Sequence, residues 1–267
     1  MPIEKRFFGK RIEDIPSEMP EEMREPVQEN VSNYNFLSNQ SFLNGEPEKA
    51  VLDEYQGRAS KDYGDASALK VLSYSDNLVE GSNPSAAVLV NQIVQPKLHV
   101  ATQADLERIL KSVSLALQGT YEDSGLVLRS EGEPNSYLAR NLYTQIKERN
   151  PKQELPVIIP LAGLELSEDK NSNYGLSFTL KEDAEIIYAP ILNKPGDFSN
   201  EDINEKTGLP ERTGNGNRTL YTRDSGLSRL CLSRYLGLYS RDDGLADSNV
   251  NGRVVVVDGS AEGASKK

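Results

Sequence analysis

The chain has 267 residues, a formal net charge of −11, 37% apolar and 7% aromatic side chains, one cysteine and one histidine. That composition supports a modest core rather than packing along the whole length, and it excludes an internal disulfide framework and a nitrogen-and-sulfur zinc cage. The longest apolar runs, residues 86–90 and 254–257, fall far short of a bilayer span, and an acidic stretch follows the basic N-terminus where a signal peptide needs an apolar core.

The expected compartment is therefore the cytoplasm, without membrane contact. Residues 1–81 carry 9 basic and 16 acidic side chains, whereas residues 211–267 carry 9 and 7, so the sign of the charge reverses along the chain. The acidic majority disfavours nucleic acid, because most of the surface repels a polyanion.

In chain order, residues 1–80 read as a flexible acidic arm. Pro16, Pro20, Pro26 and Pro47 punctuate it, and Phe7-Phe8, Phe36-Leu37 and Phe42-Leu43 are isolated apolar clusters without a sustained period. Short helices fit residues 48–56 and 66–72. Each cluster suits either a strap docked on the chain's own domain or a motif for a partner.

Residues 81–258 read as a single α+β domain: two or three helices followed by a mainly antiparallel β-sheet. Asn83 before Pro84 starts a helix that Pro96 ends, because a proline at the first helical position lacks only an N–H that the helix cannot use. Lys97 to Ala101 is a short strand, and Thr102, a hydroxyl cap, with acidic Asp105 in the first turn marks a second helix start. Leu106, Ile109, Leu110, Val113 and Leu117 recur at spacings of three and four, which predicts one buried face and a helix running to Gly119.

Gly125 to Arg129, the stripe Leu138, Leu142 and Ile146, and Pro156 to Pro160 then suggest a strand, helix and strand in a parallel crossover. Pro156 and Pro160 make the last strand short or edge-lying. Leu176, Phe178 and Leu180 alternate into an expected hairpin with residues 185–192, and residues 193–217 read as a long loop. A meander follows, with a turn at Ser233-Arg234-Tyr235 and an Asn251-Gly252 hairpin. Residues 259–267 are an expected disordered tail.

The candidate chemistry lies in the meander. Six arginines and no lysine occur from Arg212 to Arg241, and arginine presents a planar fork that grips a carboxylate or phosphate with two bonds. Arg212, Arg218, Arg223 and Arg229, with Tyr221 as a stacking surface, are the candidate ligand-binding residues. Strand parity divides the run: Arg212 and Arg218 belong to a glycine loop, Arg223 and Arg229 flank a strand, and Arg234 marks a turn.

Gly214-Asn-Gly216 with Arg218 downstream resembles the phosphate-binding loop of Fic-type nucleotidyl transferases. The histidine that must precede such a loop is absent, so no activity is carried over. His99 has no catalytic or metal-spacing partner in sequence, and no metal or cofactor is expected.

The leading expectation is a non-catalytic binding protein whose arginine-rich surface takes an anionic small molecule or an acidic protein segment, the chain's own arm included. An enzyme acting on a phosphorylated or nucleotide substrate is the alternative, with Arg218 and Arg223 as clamps and Glu131 or Glu133 as acid or base. A third is assembly through an exposed sheet edge.

Overall fold

The computed structural model describes residues 45–258 except 65, 77 and 97, together with strand residues 6–7, 10–11 and 40–42. Most of the expected arm before residue 40 and the expected tail at 259–267 lie outside the described residues. The fold is α+β, but helices and strands interleave instead of forming two successive blocks.

The packed body begins before residue 81. Strand β1 (Gln40–Phe42) is followed by helix α1 (Gly45–Tyr63), whose Val51, Leu52, Tyr55 and Ala59 are buried. The Tyr55 hydroxyl donates to the carbonyl of Leu69 at 2.8 Å. The acidic surface of this segment hid a stripe at spacings of one, three and four, and that stripe, with Ala68, Leu69, Leu72 and Val79, packs into the core.

A short hairpin, β2 (Ser73–Ser75) with β3 (Leu78–Glu80), leads to α2 (Pro84–Val94). Asn83 caps α2, its side chain accepting from Ala86 N at 2.8 Å. Every α2 residue except Gln92 is buried, as expected of a helix apolar on all sides. After β4 (Leu98–Val100), helix α3 (Gln103–Ser112) starts in a capping box between Thr102 and Asp105. It stops earlier than expected, because Val113 takes left-handed backbone with φ 52°. Leu117 is buried all the same, beyond the helix end.

The main sheet has the order β9 (Ile187–Tyr188), β6 (Val157–Pro160), β5 (Tyr121–Leu128), β12 (Leu227–Leu232), β13 (Leu238–Tyr239), β11 (Arg218–Tyr221) and β10 (Gly196–Phe198). A further strand, β14 (Gly252–Arg253), lies parallel to the start of β5. Helix α4 (Ser136–Arg149) connects β5 to β6, but these strands pair antiparallel with Gly125 opposite Pro160, which corrects the expected parallel crossover.

Two other pairings differ from expectation. β8 (Leu176–Leu180) turns back on β7 (Leu164–Glu168), so that Leu164 and Leu166 join Leu176, Phe178 and Leu180 in the core. Residues 187–188 pair with β6 instead. Asn251-Gly252 makes no hairpin, since Gly252 and Arg253 enter the parallel pairing with β5. A separate three-stranded sheet sets β15 (Val255–Asp258) between β1 and β4.

Apolar layers cover both faces of the main sheet. Leu126, Leu128 and Leu227 face α1, α2 and α4, whereas Val127, Leu220, Leu230, Leu232 and Phe198 face α3 with Leu106 and Ile109. Among the described residues no helix is long and apolar enough to cross a membrane.

Candidate functional site

The site follows from one extra residue in β5. Leu230 opposes Gly125 but Cys231 opposes Asp123, so Ser124 is a bulge. A bulge reverses the alternation of side chains along its strand. Asp123 and Leu126 consequently share one face of the sheet, and Ser124 turns to the other, where its hydroxyl donates to Gln103 of α3 at 2.9 Å.

Arg229 of β12 shares the Asp123 face. Its Nε and Nη2 donate to the two carboxylate oxygens of Asp123 at 2.7 and 2.6 Å, and its Nη1 donates to the Asp247 carbonyl at 3.0 Å. The guanidinium lies 5.1 Å from the centre of the Tyr121 ring. Burial opposes the Arg229 charge, and Asp123 more than restores it, so the side chain is held firmly protonated.

Ser82 completes the pair by donating to Asp123 at 2.6 Å. The segment that caps α2 thus also supports the site. Gly81 before it has φ 97°, and a Cβ there would meet the Val71 carbonyl oxygen at 2.2 Å, so only glycine fits.

A cavity of about 340 Å³ opens above this pair. Arg229, Cys231 and Tyr121 form its floor, Arg234, Tyr235 and Tyr239 one wall, and the 242–251 segment the other. That second wall is pinned to the core: Ser82 N donates to Ser248 Oγ at 2.9 Å, Asn249 N donates to the Tyr121 hydroxyl at 3.2 Å, and Tyr121 N donates to the Asn251 carbonyl at 3.0 Å. Burial pushes the Cys231 thiol up to about 12, which makes it a poor nucleophile.

The candidate residues do not share one surface. Arg212 is exposed and donates to Asp202 at 2.8 Å. Arg218 is buried on the opposite face, with Nη1 and Nη2 bonded to both carboxylate oxygens of Glu107 at 2.7 and 2.6 Å. Arg223 donates to the Arg241 carbonyl at 2.9 Å and lies 3.6 Å from Asp243.

Tyr221 stacks on Tyr239, their centroids 4.4 Å apart, with Arg241 4.8 Å above the Tyr221 ring. Tyr239 therefore joins Tyr221 to the cavity, where Arg229 and Arg234 also meet. The expected turn at 233–235 is present, and it exposes Arg234 over Tyr235. Among the described residues no carboxylate lies within 4 Å of Arg234, which distinguishes it from Arg212, Arg218, Arg223 and Arg229.

Of the clamps and bases expected of an enzyme, two are engaged elsewhere. Arg218 is sequestered with Glu107, while Glu133 accepts from Ser136 at 2.6 Å at the start of α4. His99 faces Asp105 at 3.3 Å. Among the described residues no cluster of three His, Cys, Asp or Glu side chains is placed to hold a metal ion.

Sequence reasoning missed Tyr121, Asp123, Ser82 and the 247–251 wall. The one available signal was Glu122-Asp123 at the head of an otherwise apolar strand. No protein-family model matches this chain, and neither the curated proteins nor the solved structures give a match.

Proposed function

We propose that the chain is a cytoplasmic, non-catalytic binding protein that holds a small polar ligand in the cavity above Arg229. The observation that carries this reading is the meeting of three tyrosines with Arg234, a cation with no carboxylate within 4 Å among the described residues, in one concavity of about 340 Å³. Tyr235 and Tyr239 offer faces for a planar ring. Arg234 offers donors to an anionic or acceptor group, and Asp242 and Asp247 accept from hydroxyl or amine groups on the same ligand.

The mixed signs favour a compact ligand over a polyanion. Arg229 serves as a floor and not as a clamp, since Asp123 already occupies its fork. A thermal-shift panel of nucleotides, sugar phosphates and short acidic peptides tests the reading, because a ligand of the native state raises apparent stability. A hit should raise Tm in the wild type and lose most of that effect in Arg234→Ala and Tyr239→Ala. A panel without a hit, or a hit that both variants retain, refutes it.

A further inference from the structure

Directly beneath the cavity wall lies a carboxyl group that the binding site does not use. Glu122 follows Tyr121 in β5, points away from Asp123, and is 1% exposed. Thr120 Oγ1 lies 2.5 Å from Glu122 Oε1 and 3.0 Å from the Leu117 carbonyl. One hydroxyl proton cannot serve both contacts. If Thr120 donates to Leu117, a proton on Glu122 must fill the shorter contact. Glu122 Oε2 is buried without a partner among the described residues, a costly position for an ionised oxygen.

Across the ladder from Glu122 stands Arg253. Its Nη1 donates to the carbonyls of Val250 and Gly252, both at 2.6 Å, and its Nη2 lies 3.5 Å from Glu80. Arg253 therefore clamps the turn that carries Asn251 into the cavity wall. Gly252 is itself bound at its carbonyl by Gly81 N at 2.9 Å.

Among the described residues the other groups around Glu122 supply no counter-charge. Thr120 and Asp123 belong to its own segment, with Asp123 committed to Arg229 on the far face, and β12 presents Leu232 and the Cys231 thiol. Arg253 is the cation that an ionised Glu122 would recruit.

We propose that Glu122 is a proton-operated latch on the cavity: protonated, it leaves Arg253 clamping the 250–252 turn, and ionised, it draws Arg253 off those carbonyls and loosens the Tyr121–Asn251 wall. The functional consequence, weaker ligand retention at alkaline pH, rests on the cavity being the binding site; the latch itself does not. Burial raises the Glu122 carboxyl from its ordinary 4.5 to about 8, with Asp123 adding to the rise, and Thr120 and Arg253 opposing it. The switch then operates just above neutrality.

Cys231 provides the readout, because it is the only cysteine in the chain and lines the cavity floor. Labelling of ligand-free protein by iodoacetamide is compared between wild type and Glu122→Gln at the same pH, which cancels most of the change in thiol ionisation. The wild-type to variant rate ratio should be near one at pH 6.5 and should exceed about tenfold at pH 9. The negative charge of ionised Glu122 slows thiolate formation in the wild type, so electrostatics alone moves the ratio the other way.

Low urea separates wall opening from global unfolding. A wild-type rate at pH 9 that stays flat at low urea supports local opening, whereas a rise with the full unfolding slope overturns the latch. A ratio independent of pH also overturns it. Should Glu122→Gln fail to fold, amide resonances of Tyr121, Asn251 and Gly252 in the wild type must move with one shared midpoint between pH 7 and 9; their standing still refutes the proposal. None of these outcomes depends on any ligand, so the latch and the binding reading fail separately.

Discussion

Replacing Asp123 by alanine removes three acceptor contacts together: Arg229 Nε at 2.7 Å, Arg229 Nη2 at 2.6 Å and Ser82 Oγ at 2.6 Å. The Arg229 side chain is 3% exposed and that of Asp123 0%, so water cannot take the place of the lost carboxylate. Leaving one partner of a buried pair uncompensated costs about 3–5 kcal/mol, a large share of the roughly 5–15 kcal/mol typical of a folded domain. Arg229→Met strands the carboxylate instead, with a smaller loss at low pH because that carboxylate can then take up a proton.

Changing both, as Asp123→Leu with Arg229→Met, replaces two desolvated charges by apolar groups and should fall within about 1 kcal/mol of the wild type. The cycle is therefore expected to be strongly non-additive. Urea unfolding followed by far-ultraviolet circular dichroism and tyrosine fluorescence measures it, since the chain has 12 tyrosines and no tryptophan. Single variants within about 1 kcal/mol of wild type, or a double variant as unstable as the sum of the singles, would refute the reasoning.

Glu122→Gln should change stability in a pH-dependent way. Below pH 4.5 the carboxyl is protonated in both folded and unfolded chains and contributes nothing. Between its unfolded value of 4.5 and its folded value of about 8, the folded state must retain a proton that the unfolded state releases. Stability is then lost as pH rises, at about 1.4 kcal/mol per pH unit. The glutamine variant should match the wild type near pH 4.5 and exceed it by about 3 kcal/mol at pH 7, with the difference levelling above pH 8; a constant difference across urea titrations from pH 4.5 to 9 contradicts this.

Arg129→Met should cost little, despite the burial of Arg129. Its hydroxyl neighbours keep other bonds, with Ser228 donating to the Ser240 carbonyl, Ser240 to the Tyr221 carbonyl and Thr222 to the Leu192 carbonyl. Among the described residues Arg129 has no carboxylate within 4 Å, its Nε is unpartnered, and burial lowers its pKa to about 10, with Arg223 adding to the effect. A loss under about 1.5 kcal/mol is expected, against the larger loss for Asp123→Ala; equal losses in the same unfolding assay count against the argument.

Local signals were legible in the sequence and long-range partners were not. Asn83-Pro84 announced α2, Thr102 with Asp105 announced α3, and the cost of an unpaired inward guanidinium placed a turn at Arg234. Each depends on residues within one helical turn of each other. Arg229 and Asp123 are 106 positions apart, and Arg218 and Glu107 are 111 apart, so nothing local says that either arginine is already engaged.

Asn251-Gly252 shows the reverse case, in which a strong local preference yields to tertiary pairing with β5. The site was legible as a residue type, arginine interleaved with tyrosine, but not as a place. A one-residue bulge at Ser124 decides which face Asp123 occupies, and no pattern in β5 forecasts it.

Strand β15 stands between β1 and β4, with Gln40 opposite Val257 and Val100 opposite Val256. Among the described residues β1 and β4 each pair with β15 alone. A chain cut before Val255 therefore leaves two unpaired strand edges available to other chains. The same adjacency brings the two ends of the packed body side by side, so a short linker could join them and the chain could be reopened in an exposed turn elsewhere.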